Sequence, residues 1–240
     1  MKNTLGVEIP EYIEGLGELK PYRGAWQTIA EEGVPAKNIS RDLKSKKAHI
    51  SKVCGSLREA IEKCKPFDGM TVTFHHHLRA GDGVLMQTIE ILDEMGVKDI
   101  TLASSSLTSA HDGLVPYVEK GMITRIFSSG IRGRLGEIIS MGKLKHPAII
   151  HSHGGRVRDF MAGRITPDLS VLAASAADEE GNATGAHGPS AFGSIGYGDV
   201  DARYSKNVII VTDNMVEYPC IPCSIRQHLV DYVVKVDSIG

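Results

Sequence analysis

The chain has 240 residues, is 42% hydrophobic and carries a formal net charge of −2 at pH 7. Those values suffice for the core of one large α/β domain, and the near-neutral charge excludes nucleic-acid or membrane partners held by bulk electrostatic attraction. No apolar run approaches the ~20 residues of a membrane span, the first residues show no signal-peptide pattern, and four cysteines without framework spacing suit a reducing cytoplasm.

Residues 1–50 show no sustained hydrophobic period. Pro10, Gly15, Gly17, Pro21, Gly24 and Pro35 punctuate them, which predicts an extended arm with at most short helices. The run Arg41 to Lys47 reads as a solvated basic loop or as a docking patch for an acidic partner. Leu57, Ala60, Ile61 and Cys64, at helical spacing, predict a helix that Pro66 ends. Residues 1–66 are thus expected to be an arm and helix packed on a domain of residues 67–240.

From residue 70 the pattern alternates. Thr71 to Phe74, β-branched or aromatic after Asp68-Gly69, open a strand expected over 71–76. A helix follows over about 83–95, stopped by Gly96. Asp99 to Ala103 is the next strand, ending in three serines, and a helix near 112–120 stops at Gly121. Ile123 to Phe127 leads into Ser128-Ser129-Gly130, Gly133 to Met141 is helical, and Pro147 to Ile150 leads into His151-Ser152-His153-Gly154-Gly155. A helix near 156–162 and strands at Leu169 to Ala173, Val208 to Thr212 and Tyr232 to Val236 complete the series. Such alternation predicts an open, mainly parallel sheet with helices on both faces. Ligands of such sheets bind beyond the C-terminal strand ends, where the His, Ser and Arg clusters all fall. The sequence stops just after an apolar strand with no closing helix, as a cut chain would.

His75, His76 and His77 cannot all face one ligand, because alternate strand residues point to opposite faces. No helical His-Glu-x-x-His and no recurrent Cys/His spacing accompanies them, so hydrogen bonding at a substrate site is favoured over metal ligation. Arg132 and Arg134 flank Gly133 in a loop of small residues, suited to bidentate binding of carboxylate or phosphate, or else to surface solubility. Arg158 and Arg164 read as helix-surface charges, whereas Arg156 directly follows His153-Gly154-Gly155. Cys220 and Cys223 have redox spacing, but Pro219 precedes them where a helix would be needed, and they are expected to be dispensable. There is no Walker pattern and no Gly-x-Ser-x-Gly elbow; Ser194 is a weak nucleophile candidate.

Several stretches together resemble the alpha subunit of citrate lyase. They are Glu8-Ile9-Pro10-Glu11-Tyr12-Ile13-Glu14-Gly15, Phe74 to Asp82, Ser129-Gly130-Ile131-Arg132-Gly133 and His151-Ser152-His153-Gly154-Gly155-Arg156. Ala177-Asp178-Glu179-Glu180-Gly181-Asn182 looks like a signature shared more widely with CoA-transferases. The resemblance implies a CoA-transferase-like fold, with this chain matching the first of two related halves. It also implies an acyl exchange, acetyl-carrier plus citrate giving citryl-carrier plus acetate. The chain itself would bind no cofactor; the phosphoribosyl-dephospho-CoA arm of the acyl carrier would be its substrate. Beta (citryl lyase) and gamma (acyl carrier) subunits would be partners, in a homo-oligomer within a larger complex. A malonate decarboxylase-type transferase and a non-catalytic sugar-phosphate or carboxylate sensor are the alternatives.

On that basis the backbone N–H groups of Ala80, Gly81, Asp82 and Gly83, helped by His76 and Arg79, are expected to stabilise the thioester oxyanion. Arg132 and Arg134 would hold citrate carboxylates, with Ser105 and Ser129 as neutral donors beside Gly130. His75 and His77 are expected near the substrate. His153, Gly154, Gly155, Arg156 and Asn182 would line the channel for the arm.

Overall fold

The computed structural model describes residues 1–3, 6–20, 50–75, 78 and 83–240. The basic run at 41–47 and His76, His77, Arg79, Ala80, Gly81 and Asp82 lie outside the described residues. Near the N-terminus a small antiparallel hairpin pairs β1 (Tyr12–Ile13) with β2 (Gly17–Glu18).

Eight strands form one sheet, and every neighbouring pair is parallel. They are β3 (Val53–Cys54), β4 (Thr71–Phe74), β5 (Ile100–Ser104), β6 (Ile123–Ser128), β7 (Ile149–Ile150), β8 (Leu169–Ala174), β11 (Asn207–Thr212) and β12 (Tyr232–Lys235). A short hairpin of β9 (Ala176–Ala177) and β10 (Ala183–Thr184) branches off after β8. The spatial order is β3-β12-β11-β8-β4-β5-β6-β7. From the edge strand β3 the chain crosses to the middle at β4, moves outward through β5, β6 and β7, returns to the other side of β4 at β8, and runs on through β11 to β12 beside β3. Strand order reverses between β4 and β8, and at their C-terminal ends it leaves the crevice typical of ligand sites in open α/β sheets.

Among the described residues, six helices cover the sheet: α1 (Leu57–Lys63), α2 (Val84–Glu94), α3 (Val115–Glu119), α4 (Gly133–Ser140), α5 (His153–Met161) and α6 (Gly198–Tyr204). Their sides follow from handedness. Crossovers towards β7 and crossovers back from it must lie on opposite faces if all are right-handed. Val72, Leu102, Ile126, Val171 and Val211 accordingly pack with α1 to α4. The alternate residues face the other way: Ala103 and Phe127 pack with Phe160 of α5, and Leu172 and Ile210 with Ala202 of α6. Burying Val84, Leu85, Ile89 and Leu92 of α2 contributes about 1.5–3 kcal/mol per side chain.

Helix ends follow local chemistry. Ser56 caps α1 by accepting the Glu59 N–H, Lys63 pairs back to Glu59, and Lys65 at φ 53 with Pro66 ends the turn. The expected helix at 112–120 is instead a 3-10 turn, Ser109–Leu114, running into α3. β3 was not expected; it and α1 extend the sheet and main core to the N-terminal side of residue 67.

Candidate functional site

Parallel register builds a row of polar residues at the C-terminal edge of β4, β5 and β6. Thr73 lies opposite Ala103, and Ala103 opposite Phe127. One pleat further on are His75, Ser105 and Ser129, which therefore share the α5/α6 side. The ladder continues through them, with Ser105 N–H donating to the Phe74 carbonyl (3.2 Å) and Ser129 N–H to the Ser105 carbonyl (3.2 Å). The Ser129 hydroxyl also donates to the Ser105 carbonyl, so its proton is already placed. Ser105 Oγ is buried without a partner among the described residues.

His153 joins this row from the fourth strand end. Its Nε2 lies 3.5 Å from Ser129 Oγ. Because that hydroxyl donates elsewhere, its oxygen is left to accept, which favours the Nε2–H form of His153. The ring of Tyr197, in the connection from β8 to β11, stacks on His153 (centroids 5.4 Å apart, 24° between planes) and meets His75 edge-on (5.6 Å, 81°). Four of the expected residues, His75, Ser105, Ser129 and His153, thus come together. Tyr197 was missed. The available signal was an aromatic between glycines, Gly196-Tyr197-Gly198, in a chain with only 5% aromatics.

His153 and the glycines after it do not form the expected loop. α5 starts at His153, because Ser152 Oγ accepts the Gly155 N–H (3.0 Å) and starts the helix three residues early. Arg156 then points inward and is 1% exposed. Its guanidinium makes a two-point ion pair with Asp201 of α6 (2.5 and 2.9 Å) and donates to Thr73 Oγ1 (2.7 Å) and the Ala103 carbonyl (3.3 Å). Burial pushes the Asp201 carboxyl up, opposed by that guanidinium. Rather than lining a channel, Arg156 fastens α5 to α6 one turn beneath the His153–Tyr197 stack.

Other expected residues have structural surroundings too. The Gly83 N–H donates to the Ile239 carbonyl (3.0 Å), so it is not open to an oxyanion here. Asn182 is buried beside Asp178, whose carboxylate accepts N–H groups from Glu180, Gly181, Asn182 and Cys220 and the Asn182 amide. The CoA-transferase-like signature is therefore a tight turn knotted around one carboxylate. Burial pushes the Cys220 thiol up to about 11, which leaves it protonated at neutral pH.

Gly130 and Arg132 extend the pairing beyond the strands: Leu107 N–H donates to the Gly130 carbonyl, and Arg132 N–H to the Leu107 carbonyl. Arg132 and Arg134 are exposed, and Arg134 pairs with Glu137 (2.9 Å). The N-terminus of α4 does not await an anion, since Asp112 already accepts the Leu135 N–H (3.0 Å). Gly133, at φ +69, leaves room for that carboxylate. Beneath the rim, His151 Nδ1 lies 3.4 Å from Asp159, which also accepts from Arg158 and Arg164. Burial alone would raise the Asp159 pKa, but these three partners together hold it below the usual value. Among the described residues no group of three or more His, Cys, Asp or Glu side chains could hold a metal ion, and no helix is long and apolar enough to cross a membrane.

The profile of the family "Citrate lyase, alpha subunit (CitF)" matches residues 50–240. The citrate lyase alpha chain of Klebsiella pneumoniae is 42% identical over 240 residues, covering 100% of this chain and 45% of that one. A crystal structure of the citrate lyase alpha subunit from Streptococcus mutans in complex with citrate aligns at TM-score 0.84 and 40% identity, over 100% of this chain and 46% of that one. An acyl-CoA transferase from Escherichia coli O157:H7 shares the fold at TM-score 0.60 and 16% identity, over 79% of this chain and 48% of its own. The chain spans less than half the length of the curated relatives it matches.

Proposed function

The chain belongs to the citrate lyase alpha-subunit family, and from that premise we propose that its sheet edge forms one wall of an acyl-exchange site. The exchange converts acetyl-carrier and citrate to citryl-carrier and acetate. The carrier's phosphoribosyl-dephospho-CoA arm enters as substrate, the beta and gamma subunits are partners, and the complex works in the cytoplasm. One observation carries this reading: His75, Ser105, Ser129 and His153, from four separate strand ends, meet beside the crevice where strand order reverses. Attack of a citrate carboxylate on a thioester requires a site for an anion and donors for the oxygen that becomes negative. The His153 Nε2–H, held only weakly by Ser129 at 3.5 Å and so able to turn to a carboxylate, and His75 are the imidazole donors, and Arg132 adds a cation at the rim. His76, Arg79 and the backbone from Ala80 are assigned to the oxyanion.

Calorimetric titration of citrate tests the assignment. Citrate is expected to bind, and His153→Ala or Arg132→Ala to weaken binding by about 1.5–3 kcal/mol, as for hydrogen bonds to charged groups. Malonate, with fewer carboxylates, serves as the weaker comparison ligand. Absence of citrate binding would overturn the reading, and equal affinity in a variant would remove that residue from the site. The 240-residue chain alone is expected to turn over acetyl-carrier no faster than background. Positioning both acyl partners lowers a barrier by ~7 kcal/mol or more, and here only one wall is present.

A further inference from the structure

We propose that Tyr197 is a positioning residue for His153: its ring fixes the imidazole that faces the bound carboxylate. The inference rests on the citrate-site reading given above.

Among the described residues His153 has little else to hold it. It is an exposed residue in the first turn of α5, and its polar contact with Ser129 Oγ, at 3.5 Å, is longer than a well-formed hydrogen bond. An imidazole in that situation is free to change rotamer. The Tyr197 ring lies nearly parallel to it at 5.4 Å and covers one face. Tyr197 is itself held from two directions. His75 meets its ring edge-on at 5.6 Å. Four residues further along, Asp201 makes the buried ion pair with Arg156, which lies three residues after His153. Both rings therefore stand one helical turn above the same ion pair, so their separation is set by the ion pair as well as by the rings. Stacking restricts the imidazole to one plane while leaving its Nε2 edge towards Ser129. Paired rings of this kind change an equilibrium by roughly two- to tenfold.

The experiment is a double-mutant cycle read by citrate titration. Tyr197→Leu removes the stack and is expected to weaken citrate binding by about fivefold, and Tyr197→Phe, which keeps the ring, to restore it. In a His153→Ala background the same Tyr197→Leu change is expected to cost less than about twofold, because the residue it acts through is gone. Thermal melts monitor folding. If the leucine variant melts early, Tyr197→Met, similar in bulk and unstacked, carries the same expectation. Wild-type affinity in the unstacked variant, or a full loss that persists without His153, would overturn the proposal. Failure of the citrate reading is distinguishable from this, because the wild-type chain would then bind no citrate. In that case the ring-current-shifted His153 proton in NMR decides the positioning claim. It is expected to lose its shift in Tyr197→Leu and keep it in Tyr197→Phe, and an unchanged signal in both would refute the stack.

Discussion

Replacing Asp201 with alanine should be one of the most damaging single changes in this domain. Asp201 is 0% exposed and Arg156 1%. Without the carboxylate, the buried guanidinium keeps two neutral acceptors, Thr73 Oγ1 and the Ala103 carbonyl, and the Phe160 ring 4.5 Å away, with no opposite charge. Removing one partner of a buried pair costs about 3–5 kcal/mol, mostly because the other charge is left uncompensated. For a domain of this size that corresponds to a fall of about 6–20 °C in Tm. An internal control is available in Arg203–Asp199 on the same helix, an exposed pair at 2.7 Å. Asp199→Ala should cost less than about 1 kcal/mol. Urea unfolding followed by circular dichroism measures all three proteins. The double change Arg156→Met/Asp201→Leu removes both charges and should recover most of the loss. A loss under about 1 kcal/mol for Asp201→Ala, or a double variant worse than the single one, would refute the argument.

Asp159 predicts the acid limb of stability. Its folded pKa is lowered, so below about pH 4 the unfolded chain binds more protons and stability falls as pH drops through the folded value. Asp159→Asn should flatten that limb in pH-dependent urea melts, and an unchanged slope would contradict the assignment. Gly181→Ala should destabilise by about 1–3 kcal/mol, since φ is +99 and a Cβ would lie 2.8 Å from Val230 Cβ; an unaltered melt would show that the turn relaxes freely. Iodoacetamide at neutral pH should leave Cys220 unmodified, and Cys220→Ala with Cys223→Ser should leave citrate binding intact, both read by mass spectrometry and calorimetry.

What was legible in the sequence is the part that depends on local pattern. Strands rich in β-branched residues and helices with apolar stripes gave the alternation. Because a parallel sheet aligns its strand ends, His75, Ser105 and Ser129 could be expected on one edge from the sequence alone. What was not legible depends on residues far apart in the chain. Arg156 and Asp201 are 45 residues apart, and nothing near either marks the pairing. Gly154-Gly155 read as a break before a helix, yet the Ser152 cap and the inward packing of Arg156 and Phe160 override the low helical propensity of glycine. Asn182 sits in a signature that suggested ligand contact, but the Asp178 carboxylate binds it into the turn. β3, two residues long, is too short to show a period.

That short strand also bears on how the chain acquires its shape. Among the described residues β3 pairs with β12 alone: Val53 lies opposite Val233 and Cys54 opposite Val234, about 180 residues later. During synthesis at ~5–20 residues per second, β3 would wait roughly 10–40 s for its neighbour to leave the ribosome. Over that interval α1 carries Leu57, Ala60 and Ile61 without the β11 and β12 surface they cover in the finished domain. Pairing at such sequence distance is slow as well as late. The nascent chain thus presents a sticky amphipathic segment early and hides it last.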